Sequence, residues 1–183
     1  EFGVKRGLRE EDGPGVLAGI SNISRIDAFK TEDGKKVPCD GQLWYRGYNV
    51  IDLIHGFEGK RFGFEEVAYL LLFGELPDAA KLGAFKSMLE ECRQLPTNFT
   101  RDVIMKAPSK DIMNSLTRSV LTLASYDETI ADQELHTQLE QCIKLISVFP
   151  MLAVYGYHAY NHYICDDSLY IHRPQEGLSA AEN

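Results

Sequence analysis

Residues 63–77 read Gly63-Phe64-Glu65-Glu66-Val67-Ala68-Tyr69-Leu70-Leu71-Leu72-Phe73-Gly74-Glu75-Leu76-Pro77. Two acids open the run, where the positive end of a helix dipole favours them. An unbroken apolar stretch follows from Val67 to Phe73. Gly74 can take the left-handed turn that ends a helix, and Pro77 stands beyond it. The stretch therefore predicts a helix over 64–73, and a helix apolar on most faces predicts burial. It is also the longest uninterrupted apolar run of the chain, too short to cross a bilayer.

Upstream of it the pattern changes. Asn49 predicts a cap for a short helix, Val50–His55, ending near Gly56. Val16–Ile26 and Val37–Tyr48 are rich in Val, Ile, Trp and Tyr and flank the polar segment Thr31-Glu32-Asp33-Gly34-Lys35. Asp-Gly between two such runs predicts a β-hairpin. Glu1-Phe2, a start without Met, is set aside as an expected cloning remnant.

Downstream the periodicity is helical. Asp78 predicts a cap for Ala79–Gln94, with Leu82, Phe85, Met88, Leu89 and Cys92 at helical spacing, and Pro96 ends it. A shorter helix is expected over Phe99–Lys106, and another over Asp111–Tyr126 with Ile112, Leu116, Val120, Leu123 and Ala124 on one side. The longest element should run from Gln133 to Tyr163, its first stripe being Leu135, Leu139, Cys142, Ile143 and Ile146. Pro150 lies inside it and predicts a kink or break. The polar stretch Asp166–Gly177 reads as a linker. Ser179-Ala180-Ala181-Glu182 then fits the capping box that opens a helix. With only Asn183 following, the expectation is a chain cut at that point.

The 183 residues suffice for one core without metal or disulfide staples. The chain is 44% hydrophobic and 25% charged, which excludes disorder and collagen-like classes. Net charge is −8, and no dense basic patch offsets it, so no nucleic acid is expected as partner. No membrane segment or signal peptide is read. Cys39, Cys92, Cys142 and Cys165 lack C-x-x-C spacing and read as reduced thiols of a cytoplasmic protein.

Candidate chemistry is sparse. His158 and His162 stand four apart, a spacing that can face one metal, but no H-E-x-x-H pattern accompanies them. With Tyr155, Tyr157, Tyr160 and Tyr163 around them they read instead as an aromatic helix surface, so no metal is assigned. His55 and His136 read as solvated. Glu65-Glu66 and Glu90-Glu91 are neighbours that do not face each other on a helix, and read as solvated acids. No nucleophile elbow, Walker loop or dinucleotide fingerprint occurs.

Several segments resemble citrate synthases and the related 2-methylcitrate synthases. Leu43-Trp44-Tyr45-Arg46-Gly47-Tyr48-Asn49-Val50-Ile51-Asp52-Leu53 is similar to the family's L-x-Y-R-G-Y-x-I-x-x-L stretch. Residues 63–77 resemble its most recognisable N-terminal segment almost residue for residue. Gly7-Leu8-Arg9 and Gly15-Val16-Leu17-Ala18-Gly19 look like its opening, and Ser168-Leu169-Tyr170 to Asn183 like its linker and next helix.

The resemblance implies a mainly α, multi-helical citrate synthase-like large-domain fragment with a small N-terminal β hairpin. Residues 1–60 would form the arm, hairpin and short helix, and 61–183 the helical part. It implies an acyltransferase joining acetyl-CoA and oxaloacetate to give citrate and CoA, with acetyl-CoA as substrate, no permanently bound cofactor, and a homo-oligomer as the working form. In the family a carboxylate abstracts a proton, two histidines assist and arginines hold the carboxylates. The family's histidine motifs are absent from this sequence, so no catalytic residue is assigned and the chain alone is expected to be inactive. Arg9 matches the family's G-[LM]-R arginine near the CoA phosphates, a role suited to a guanidinium fork. Arg46 reads as structural, without a mechanism. Two other readings are a helical interaction module without chemistry, and one half of a split enzyme.

Overall fold

A computed structural model describes residues 2–183, Glu1 lying outside the described residues. The chain separates into two compact units, residues 1–78 and 79–183. The division falls after the helix at 63–73, whereas the compositional change falls near residue 60.

The first unit holds strands β1 (Ser24–Glu32), β2 (Lys35–Tyr45) and β3 (Tyr48–Asn49), then helices α1 (Val50–Gly56) and α2 (Gly63–Phe73). The three strands form one antiparallel sheet in the order β1-β2-β3. The Asp33-Gly34 hairpin is present, with both turn residues at positive φ, 50° and 75°. That is the turn hand that matches strand twist. A second turn of the same hand joins β2 to β3, and here Arg46 (φ 49°) precedes Gly47 (φ 90°). A non-glycine residue held in this region is uncommon. Its side chain supplies the compensation: Nε and Nη2 of Arg46 donate to the Leu71 carbonyl at 3.2 and 2.8 Å, and Nη1 donates to Asn22 Oδ1 at 3.1 Å. The Arg46 amide donates to the Ile23 carbonyl at 2.8 Å.

Leu71 belongs to the last turn of α2, where carbonyls lack helical partners. Gly74, at φ 85°, closes the same end and donates its amide to Leu70 O at 2.8 Å. Arg46 and Gly74 thus satisfy that helix end together, and Arg46 ties the sheet to it. Asn49 caps α1 as expected, its side chain accepting from the Ile51 amide at 2.9 Å.

Two expectations for this unit are corrected. The strand does not begin at Val16: residues 5–17 instead fold back on themselves, with Lys5 N–H on Leu17 O at 2.9 Å and an isolated bridge between Arg9 and Gly15. Gly13, at φ 100°, and Pro14 turn the chain there before a strand can start. Nor is α2 buried all round. Leu70 and Glu65 are buried, but Phe64 and Phe73 are exposed at 49% and 41%. Its apolar surface exceeds what these 78 residues can cover.

The second unit comprises α3 (Ala79–Glu91), a π-helical segment (Thr100–Met105), α4 (Ile112–Ala124) and α5 (Leu135–Cys165). The other three pack on α5. Its buried residues Ile143, Ser147, Val148, Met151, Leu152, Tyr155 and Ala159 recur at three- and four-residue steps, which puts them on one stripe. From α4, Leu116, Val120 and Leu123 pack against it as the spacing predicted. Leu135, Cys142 and Met88 were expected inside and are exposed.

The helix predicted at 99–106 is wound as a π-helix rather than an α-helix. Hydrogen bonding to the fifth residue brings positions five apart onto one side, and Phe99 and Ile104 are both buried, at 1% and 2%. At Pro150 the helix continues unbroken. Pro150 has no N–H to offer Ile146 O, and the surrounding core residues Val148, Met151 and Leu152 hold the ladder on either side. By length and composition α5 could cross a membrane, which a count of uninterrupted apolar runs does not register. In this fold its apolar stripe is the core on which the unit's other helices sit.

Arg46→Ala is expected to lower the stability of the first unit by about 2 kcal/mol, the cost of charge-assisted bonds to a half-buried carbonyl. Denaturation followed by the emission of Trp44, the chain's sole tryptophan and two residues away, reads it directly. Leu152→Ala should cost about 3 kcal/mol through its cavity, seen as an earlier loss of far-ultraviolet ellipticity while the Trp44 transition stays put.

Candidate functional site

Arg9 sits on the rim of the folded-back N-terminal segment. The Glu10 amide donates to Pro14 O at 2.7 Å and the Gly13 amide to Glu10 O at 3.0 Å, forming a tight turn. Arg9 Nη1 donates to the Gly13 carbonyl at 2.8 Å, which aims the exposed guanidinium along the turn. One of its five N–H groups is so used. Glu10, the nearest acid, is taken by Lys5 Nζ at 2.8 Å. Glu11 and Asp12 follow in the same exposed turn.

The histidines are dispersed. His162 Nδ1 lies 2.8 Å from Asp167 O, joining the last turn of α5 to the segment after it. His158 meets the edge of Tyr170 at 6.3 Å between ring centres, and Tyr170 stacks on His172 at 6.3 Å. Tyr155 donates its hydroxyl to His172 O at 2.7 Å. Burial pushes the Tyr155 hydroxyl above its ordinary value, and the charge of Arg173 opposes that rise. These rings pin the stretch after α5 back onto the helix, the aromatic surface read from the sequence. His136 lies 3.6 Å from Glu140 one turn away, and His55 stands exposed in the last turn of α1. Among the described residues no three His, Cys, Asp or Glu side chains gather as a metal set. All four cysteines are free thiols, and burial raises Cys92 above its ordinary value.

Three of these four carboxylates depart from the solvated reading, Glu91 alone being exposed. Glu65 is only 2% exposed. Glu66 is 3.5 Å from Lys60. Glu90 Oε1 accepts the Gly177 amide at 3.1 Å, anchoring the segment after α5 to α3. Helix positions alone did not reveal either contact, because both depend on which face packs inward.

The capping box is formed. The Ser179 amide donates to Glu182 Oε2 at 2.8 Å, and Ser179 Oγ accepts the Glu182 amide at 3.3 Å. Asn183 adds side-chain bonds to the carbonyls of Gln175, Leu178 and Ser179. A cleft of about 700 Å³ lies beside this region, and Arg93, Arg101, Arg173, Glu90 and Glu176 are among the residues that line it. Arg101 is already held by Asp102, with two contacts of 2.8 Å. Sequence reading did not single out these arginines, since they come from three separated segments and share no motif.

The family model described as "Citrate synthase, C-terminal domain" matches residues 13–183. A 2-methylcitrate synthase of Shewanella oneidensis is 34% identical over 115 residues, 63% of this chain and 28% of the relative. A citrate synthase of Saccharolobus solfataricus is 29% identical over 155 residues, 84% of this chain and 35% of the relative. The crystal structure of citrate synthase from Pyrobaculum aerophilum superposes with a TM-score of 0.68 at 26% identity, covering 97% of this chain and 44% of that one. The chain thus spans about a third of the length of the curated relatives it matches. With the match running through hairpin, helices and the final capping box, the chain belongs to the citrate synthase family.

Proposed function

We infer that this chain is the N-terminal part of the large domain of an enzyme that condenses acetyl-CoA with oxaloacetate to give citrate and CoA. The family match over residues 13–183 carries this reading. The order of segments supports the position: the G-L-R opening, the Y-R-G-Y stretch, the helix at 63–77 and the capping box follow one another as in the family.

Within that reading Arg9 contacts a phosphate of CoA. It is exposed, and Lys5 neutralises Glu10, its adjacent acid. A guanidinium with four N–H groups to spare suits a phosphate, which takes two of them side by side. Arg9 binds substrate and takes no part in the proton transfers. Those require the family's histidine motifs and carboxylate, and the sequence of these residues contains neither histidine motif.

The working form is a homo-oligomer in the cytoplasm. Large apolar side chains stand open to solvent, including Ile26 at 75%, Leu121 at 68% and Leu135 at 81%. Apolar area of this kind is ordinarily covered by a partner or by further chain. Four free thiols fit a reducing compartment.

Release of free thiol from acetyl-CoA in the presence of oxaloacetate should not exceed the buffer rate for this chain alone. Turnover above it would show that these residues perform the chemistry. In the complete enzyme, Arg9→Ala should raise KM for acetyl-CoA about tenfold, the loss of one charge-assisted phosphate contact, with kcat little changed. An unaltered KM would remove Arg9 from the binding site.

A further inference from the structure

A small pocket of about 370 Å³ opens where the chain enters β1 and passes the Arg46-Gly47 turn. Its walls include Ser21, Asn22, Ser24, Arg25, Trp44 and Arg46, and no carboxylate lines it. The hydrogen bonds already made there leave an excess of donors. Asn22 Oδ1 already accepts from Arg46 Nη1, which turns the side chain so that its NH₂ remains to donate. Ser21 Oγ accepts the Ile23 amide at 3.1 Å, which leaves its hydroxyl hydrogen free to point elsewhere. Arg25 lies 5.0 Å above the Trp44 ring. Its Nε lies 2.9 Å from Asp27 Oδ2. The Trp44 Nε1–H is shut off from water, so it is not among the donors that a bound group could reach.

Charge points the same way. Arg46 is half-buried and bonded to a carbonyl and an amide, and no carboxylate pairs with it among the described residues. A guanidinium withdrawn from water with neutral partners only has an unmet demand for an anion. Donors from five side chains exceed what one carboxylate can accept, while a phosphate group presents three strongly accepting oxygens.

We propose that this pocket is a binding site for a phosphate group, with Arg25 and Arg46 supplying charge and Ser21, Asn22 and Ser24 completing the oxygen contacts. It is separate in residues from the Arg9 turn and does not depend on the role given to Arg9. The phosphate can be inorganic or the ester group of a larger molecule, since both present the same oxygens.

Trp44 is the only tryptophan, so its emission reports on this pocket alone. The chain is titrated with inorganic phosphate, with glycerol phosphate and with acetate at constant ionic strength. A saturating change with inorganic phosphate is expected, and a lower midpoint with glycerol phosphate would identify an ester as the source. Arg25→Gln, at an exposed position, should raise the midpoint about tenfold, one charge-assisted hydrogen bond. Asp27→Asn removes the acid that competes for Arg25 and should lower it. A response that stays linear in phosphate, an equal response to acetate, or a midpoint unmoved by both substitutions would overturn the assignment.

Discussion

The Arg46 side chain bonds the Leu71 carbonyl, and the first unit depends on that contact. The interaction reconciles three local demands. The turn between β2 and β3 needs two residues at positive φ, and only its second is glycine. The C-terminal end of α2 needs donors for its last carbonyls. The segment at 21–23, which leads from the N-terminal turn into β1, needs an anchor. One guanidinium meets the second and third, and the tertiary bonds it makes offset the strain of the first. Asp or Asn tolerates such a backbone more readily, but neither side chain is long enough to reach from this turn to the end of α2.

Much of this was legible in the sequence. The Asp33-Gly34 hairpin, the Asn49 cap, the Gly74 terminus and the Ser179–Glu182 box are local, and local chemistry fixes each within four residues. Arg46 marks the limit of such reading. Its position in Y-R-G-Y could be quoted, yet its partner lies 25 residues onward in sequence. The same limit explains Glu65 and Glu90, taken for solvated acids although packing draws them inward. The π-helical winding at 100–105 was likewise hidden, because it answers to the core's need for both Phe99 and Ile104.

The site was less legible than the fold. Arg9 was marked through resemblance, and its 2.8 Å bond to Gly13 O gives it an orientation that no motif could supply. The donor-rich pocket around Trp44 had no sequence signal at all, since a surplus of donors appears only after the internal bonds are counted. By contrast the abundance of exposed apolar residues is a direct consequence of composition. An ordinary share of hydrophobic residues, distributed over a small sheet and a one-stripe helix bundle, leaves more apolar surface than the chain can fold away.

The buried serines of the second unit carry a mechanical consequence. Ser115 and Ser119 on α4 and Ser147 on α5 are each 6% exposed or less. Ser119 Oγ donates to Ser115 O, and Ser147 Oγ donates to Ile143 O, both at 2.8 Å within their own helices. These two hydroxyls are therefore satisfied without reaching across to a neighbour. Where α4 meets α5, Leu116, Val120 and Leu123 supply shape rather than directional bonds. An interface held by shape permits small sliding steps of one helix along the other, whereas a polar cross-link would lock a single register.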